Sequence, residues 1–171
     1  MTARRLLTSA ARAAAARRVG VRTGCRCRRH WSGAGHDGNR VDRIGREHYA
    51  GHNGRAGAIP IGLAGVDGRF SPTELLRIAL AGCEALAADH LLTRRLGERA
   101  DVRLTVHGDF DPEQRRFAEL NSTLTVDLSG LDESARDRLR TVVTRAIHRY
   151  CTVGRTIEGG APVPVSVRDR A

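Results

Sequence analysis

Lysine is absent: all 29 strongly basic side chains among the 171 residues are arginine. Without it the glycine-rich stretches cannot complete a phosphate loop, whose final Gly-Lys-Ser/Thr needs the ammonium group. Also missing is any uninterrupted apolar run long enough to span a bilayer. Acidic residues are scarce at the start of the chain. Residues 1–40 carry ten arginines against one carboxylate, Asp37, whereas residues 41–171 carry nineteen arginines against eighteen acids. The net charge of +10 therefore resides almost wholly in the first forty residues. A basic tail attracts nucleic acid or membrane surfaces. Abundant Ala, Arg and Gly throughout the chain point more simply to a compositional bias of the genome, so nucleic-acid association is the weakest functional reading.

The first 24 residues are rich in Arg and Ala and free of acids, the composition of an organellar transit peptide, but they lack the apolar core of a secretory signal. Arginine and alanine provide too little apolar surface to fold alone. Residues 1–40 are therefore expected to be a disordered Arg-rich extension, with a targeting segment as the second choice. Cys25 and Cys27, near His30, have no second pair and fall short of a four-ligand zinc site, so they are expected to be two exposed thiols without a function. Four cysteines without a secretory signal point to a reducing compartment, the cytoplasm, and not to a disulfide framework.

Residues 41–171 suffice for one domain with a real core. The segment 43–62 reads as an irregular hairpin turning at Asn53-Gly54, the strongest hairpin dipeptide, and residues 63–71 as a Gly-rich connection. From 72 to 96 a helix is expected whose stretch Leu75–Ala88 is apolar on nearly every face, interrupted chiefly by Arg77 and Glu84, and so buried at the centre of an assembly. Strands follow at 101–109 and 117–128, where Val102, Leu104 and Val106, then Leu124, Val126 and Leu128, alternate with polar residues. Asp111-Pro112 marks the turn between them. Asp132 caps a helix over 133–150 with Leu139, Val142, Val143 and Ile147 at helical spacing. A last strand, 162–168, alternates Val163, Val165 and Val167. The order ββαββαβ defines an α+β domain without internal repeats.

Two cysteines carry the chemistry. Cys83 lies within SPTELLRIALAGCEALAADHLL, mid-helix, and Cys151 closes DESARDRLRTVVTRAIHRYC. Each alone reads as a small buried hydrophobe; together they suggest a thiolate oxidised to a sulfenic acid and a second thiol that resolves it. SPTELLRIALAGC, RAIHRYCTVGRTI and the intervening VRLTVHGDFD resemble the OsmC/Ohr family of cysteine-based hydroperoxide reductases over roughly residues 41–168. The resemblance implies an intertwined homodimer whose central helices are enclosed by sheets of both subunits. It implies Cys83 as the peroxidatic and Cys151 as the resolving cysteine, an organic hydroperoxide as substrate, an external dithiol as reductant, and no metal, haem or flavin.

The chain departs from that family at the helix entry. The family's glutamate follows the proline; here Thr73 follows Pro72 and the nearest carboxylate is Glu74. Ser71-Pro72-Thr73-Glu74 has the form of a capping box, so Glu74 is assigned first to the cap and only second to catalysis. An arginine near Cys83 is expected, because this cysteine lies twelve residues past the N-cap, beyond reach of the helix dipole. Arg55 in HNGRAG, similar to the family's G-G-R-x-G hairpin, is the first choice, with Arg43, Arg46 and Arg69 as alternatives. His148, three residues before Cys151, shares its helix face. Glu84 would oppose thiolate formation unless paired, and Asp89 and His90 read as the polar end of the buried helix. The alternative function is a non-catalytic member of the fold that binds an apolar ligand or a partner.

Overall fold

The computed structural model describes residues 38–169. The expected extension lies outside the described residues, except for residues 38–40, and so do Cys25 and Cys27. The domain begins with three short antiparallel strands in the order β1 (Arg40–Gly45), β2 (His48–His52) and β3 (Ala58–Ile61). The expected hairpin over 43–62 is thus a three-stranded meander. An extra tight turn at Arg46-Glu47 folds its first part back, with Glu47 in the left-handed region at φ 52°. The second turn falls at Asn53-Gly54 as expected. There Asn53 Oδ1 accepts the backbone N–H groups of Arg55 at 2.9 Å and Gly57 at 2.8 Å, the side chain standing in for a backbone turn.

The Gly-rich connection is tied back onto β3. Gly62 donates to the Phe70 carbonyl at 3.0 Å and Phe70 to the Pro60 carbonyl at 3.0 Å, which delivers Ser71 to the start of α1 (Pro72–Leu96). The capping box forms in full. Ser71 Oγ accepts the Glu74 N–H at 3.3 Å, and Glu74 Oε2 accepts the Ser71 N–H at 2.7 Å. Those reciprocal bonds satisfy donors that a helix start otherwise leaves open. Ser71 is itself buried, so Ser71→Ala should lower stability by about 1 kcal/mol, read as a fall in the thermal unfolding midpoint.

A stripe at four-residue spacing, Leu80, Glu84, Ala88 and Leu92, is the face of α1 that is buried in this chain. Ala88 and Leu92 meet Leu139 and Val143 of α2 (Glu133–Tyr150) in the core. The other faces of α1, although apolar as the sequence suggested, leave Leu76, Ile78 and Leu86 exposed. The hairpin of β4 (Val102–Asp111) and β5 (Arg116–Val126) closes the core from the other side with Val102, Leu124 and Val126. Its turn is set by Asp111 Oδ1, which accepts the N–H groups of Glu113 at 2.9 Å and Gln114 at 3.0 Å. Asp132 caps α2 through the Ala135 N–H at 2.8 Å.

Two further features correct the sequence-derived order. A further helix, α3 (Thr152–Glu158), follows α2 after the single residue Cys151. The expected strand over 162–168 is not formed: residues 161–169 are unpaired, and Val163, Val165 and Val167 are 85–96% exposed. Alternation encodes a strand's two faces but not a partner edge, and this segment pairs with neither sheet of this chain. The observed order is therefore βββαββαα, and the α+β class stands.

Candidate active site

The site forms where the middle of α1 meets the joint between α2 and α3. Cys151 is that joint. Its N–H closes α2 on the Ile147 carbonyl at 2.9 Å, and its Sγ caps α3 by accepting the Gly154 N–H at 3.2 Å. With φ −71° and ψ 100° it is extended between two helices, the backbone break that an N-cap requires. Cys151 is 2% exposed, whereas Cys83 is half-buried, and both are free thiols.

The α2–α3 joint brings the two cysteines together. Backbone hydrogen bonding from the Val153 N–H pulls the Cys83 thiol below the ordinary range, against the opposing effect of burial. The Cys151 S–H and the Thr152 N–H add to the lowering, and Glu84 works against it. Cys151 moves the other way. Burial raises it first of all, the Gly154 N–H partly offsets this, and its role as donor to Cys83 together with the nearby Cys83 and Glu84 charges raises it further. The surroundings thus favour ionisation of Cys83 and disfavour that of Cys151, so the two thiols are unequal in the sense that thiol–disulfide chemistry exploits.

The remaining candidates are dispersed. Glu74 is engaged by Ser71, whose backbone N–H and hydroxyl hold its carboxyl below the usual range. Arg55 lies exposed in the β2–β3 turn, its backbone N–H bonded to Asn53. Asp89 and His90 are exposed, as the polar end of α1 should be. His148 is exposed on α2 but lines, with Glu84, a cavity of about 640 Å³ between α1, α2, α3 and the β4–β5 hairpin. Sequence reasoning did not anticipate the amides of Thr152 and Val153. A Cys-Thr-Val-Gly run has low helix propensity, and the one available signal was the repeat of a polar capping atom, the Cys151 sulfur, directly after a helix end.

Among the described residues no helix is long and apolar enough to cross a membrane, and no cluster of His, Cys, Asp and Glu could hold a metal ion. A protein of Mycobacterium tuberculosis, itself uncharacterized, is 42% identical over 129 residues, which span 75% of this chain and 94% of the relative. The fold matches a crystal structure from Psychrobacter arcticus, named for a suggested role in osmotic stress and detoxification. The TM-score is 0.59 at 18% identity over 73% of this chain and 90% of that one. The organic hydroperoxide resistance protein OhrB of Bacillus subtilis superposes with a TM-score of 0.43 at 25% identity, over 70% of this chain and 90% of its own. The family model described as OsmC-like protein matches residues 65–166, from the α1 entry through both cysteines, and the chain belongs to the OsmC-like family.

Proposed function

We propose that the protein reduces organic hydroperoxides through a Cys83 nucleophile resolved by Cys151. The observation that carries this reading is the opposed preparation of two adjacent thiols at the α2–α3 joint. The Cys83 thiolate attacks the terminal peroxide oxygen, the O–O bond breaks, and the alkoxide leaves as the alcohol with one proton. Cys83 becomes a sulfenic acid. Cys151 then attacks the Cys83 sulfur, water departs, and a Cys83–Cys151 disulfide remains. An external dithiol reduces it by exchange and is itself oxidised. Such a cycle belongs in a reducing compartment, the cytoplasm. The direct test is consumption of cumene hydroperoxide with a dithiol as reductant, together with mass spectrometry of the cysteines after one equivalent of peroxide. No consumption, or thiols that stay free, rejects the reading.

Activation of Cys83 is assigned to the α3 amides in place of an arginine. Thr152→Pro tests this cleanly, because proline is tolerated at the first helical position and Cys151, the residue before it, is already extended. It removes one N–H from Cys83 and should move the pH profile of Cys83 alkylation upward. Arg55→Met should leave that profile in place. The reverse pattern would return the role to Arg55.

A homodimer belongs to the same reading. Leu86 is 79% exposed on a helix whose opposite face is core, and the unpaired valines of 161–169 lack a sheet; a second copy would cover the first and pair the second. A second functional reading, a non-catalytic protein that binds an apolar ligand, is favoured by one observation: leucines and valines dominate the wall of the 640 Å³ cavity. Binding of an apolar dye there by a protein inert toward peroxide would support it.

A further inference from the structure

Glu84 is the charged side chain that the fold buries among the described residues, and its Oε2 has no hydrogen-bond partner among them. Placing an ionisable oxygen there without a partner is costly, and packing gives no reason for it, since Ala88 and Leu92 continue the same stripe with apolar groups. Its position relative to the thiols is more informative. Glu84 directly follows Cys83 and lies one turn beyond Leu80. Leu80 Cδ1 comes within 3.6 Å of the place where a Gly154 β-carbon would stand, and Cys151 Sγ lies 3.3 Å from that same place. Residues four apart share a helix face, so Glu84 looks toward the joint that carries Cys151. Arg140 and His148 from α2 and Glu158 from α3 line the same cavity, while β4 and β5 line it without a charged group.

The resolving step leaves a chemical need at this place. Cys151 is buried, and burial pushes its thiol up, yet it must lose its proton to attack an oxidised Cys83 sulfur, because the thiolate is the nucleophile. We propose that Glu84 is the proton acceptor for the resolving thiol. It takes the Cys151 proton, directly or through one water, as the sulfur–sulfur bond forms, and returns it to the departing hydroxide as the Cys83 S–O bond breaks. One thiol and one sulfenic acid thereby become a disulfide and water, with Glu84 restored. The proposal rests on the pairing of Cys83 with Cys151 set out above, and it gives a use to a carboxylate that works against the first step.

The test uses the full chain carrying Cys25→Ser and Cys27→Ser, so that Cys83 and Cys151 are the remaining thiols. The oxidant is the aromatic disulfide dithiobis(nitrobenzoate), so no peroxide is needed. Cys83 attacks it and releases one coloured thiolate; Cys151 then closes the internal disulfide and releases a second. In Glu84→Gln the first release should be as fast or faster, because a like charge beside the Cys83 thiolate is gone. The second should slow on the order of a hundredfold at neutral pH. It should also climb about tenfold per pH unit, as the free thiolate fraction does, where the parent protein is flatter. Glu84→Asp keeps the acid on a shorter arm, should fall between the two, and serves if the amide variant does not fold. An unchanged second release with unchanged pH dependence overturns the proposal, as does equal slowing of both releases, the mark of loosened packing. A chain inert toward cumene hydroperoxide that still shows the two-phase difference keeps the Glu84 assignment and loses the peroxidase reading.

Discussion

Cys83→Ser is expected to abolish consumption of cumene hydroperoxide, leaving the uncatalysed background. A serine hydroxyl at this position is not ionised near neutral pH, so the Val153 and Thr152 N–H groups, which pull the Cys83 thiol downward, would have no anion to stabilise. The fold should persist, because Cys83 is half-buried and the core is built from Ala88, Leu92, Leu139 and Val143. Circular dichroism and the thermal midpoint check that condition. Multiple-turnover rates equal to those of the parent protein would remove the enzyme reading altogether.

Cys151→Ser should permit one turnover and then stop, because Cys83 sulfenic acid forms but has no neighbouring thiol to resolve it. With excess peroxide it should advance to sulfinic acid, read as mass added at Cys83 alone. The substitution also probes structure. Cys151 Sγ accepts the Gly154 N–H at the start of α3, and serine is a better cap than cysteine, so α3 and its amides should stay in place. Loss of the first turnover as well would show that Cys151 is needed to prepare Cys83 and not only to resolve it.

Much of this was legible in the sequence because it is local. Ser71-Pro72-Thr73-Glu74 states a helix start in four letters, and α1 runs from Pro72 to Leu96 as read. Asp132 marked α2 in the same way, and Asn53 and Asp111 marked their turns. The activation of Cys83 was not legible, because it depends on amides nearly seventy residues away and on a helix of poor intrinsic propensity. The demand for an arginine followed soundly from the distance between Cys83 and the start of its own helix. It made no allowance for a second helix beginning against the first, whose amides also lower the Cys83 thiol. Nor could periodicity show that Glu84 would share the buried stripe with Leu80, Ala88 and Leu92, since apolar residues surround α1 on nearly every side.

The unpaired terminal segment has a further consequence, which lies in its prolines. In an extended chain successive N–H groups point to opposite sides, and here Pro162 and Pro164 alternate with Val163, Val165 and Val167. On the side where residues 163, 165 and 167 present their amides the segment can donate a full ladder; on the other, two donors in succession are missing. Whatever strand this segment joins, it joins along one edge and leaves a poor template on the other. Were it to pair, it would extend a sheet by one strand and end it there, in contrast to the open-ended stacking that exposed, valine-rich edges invite.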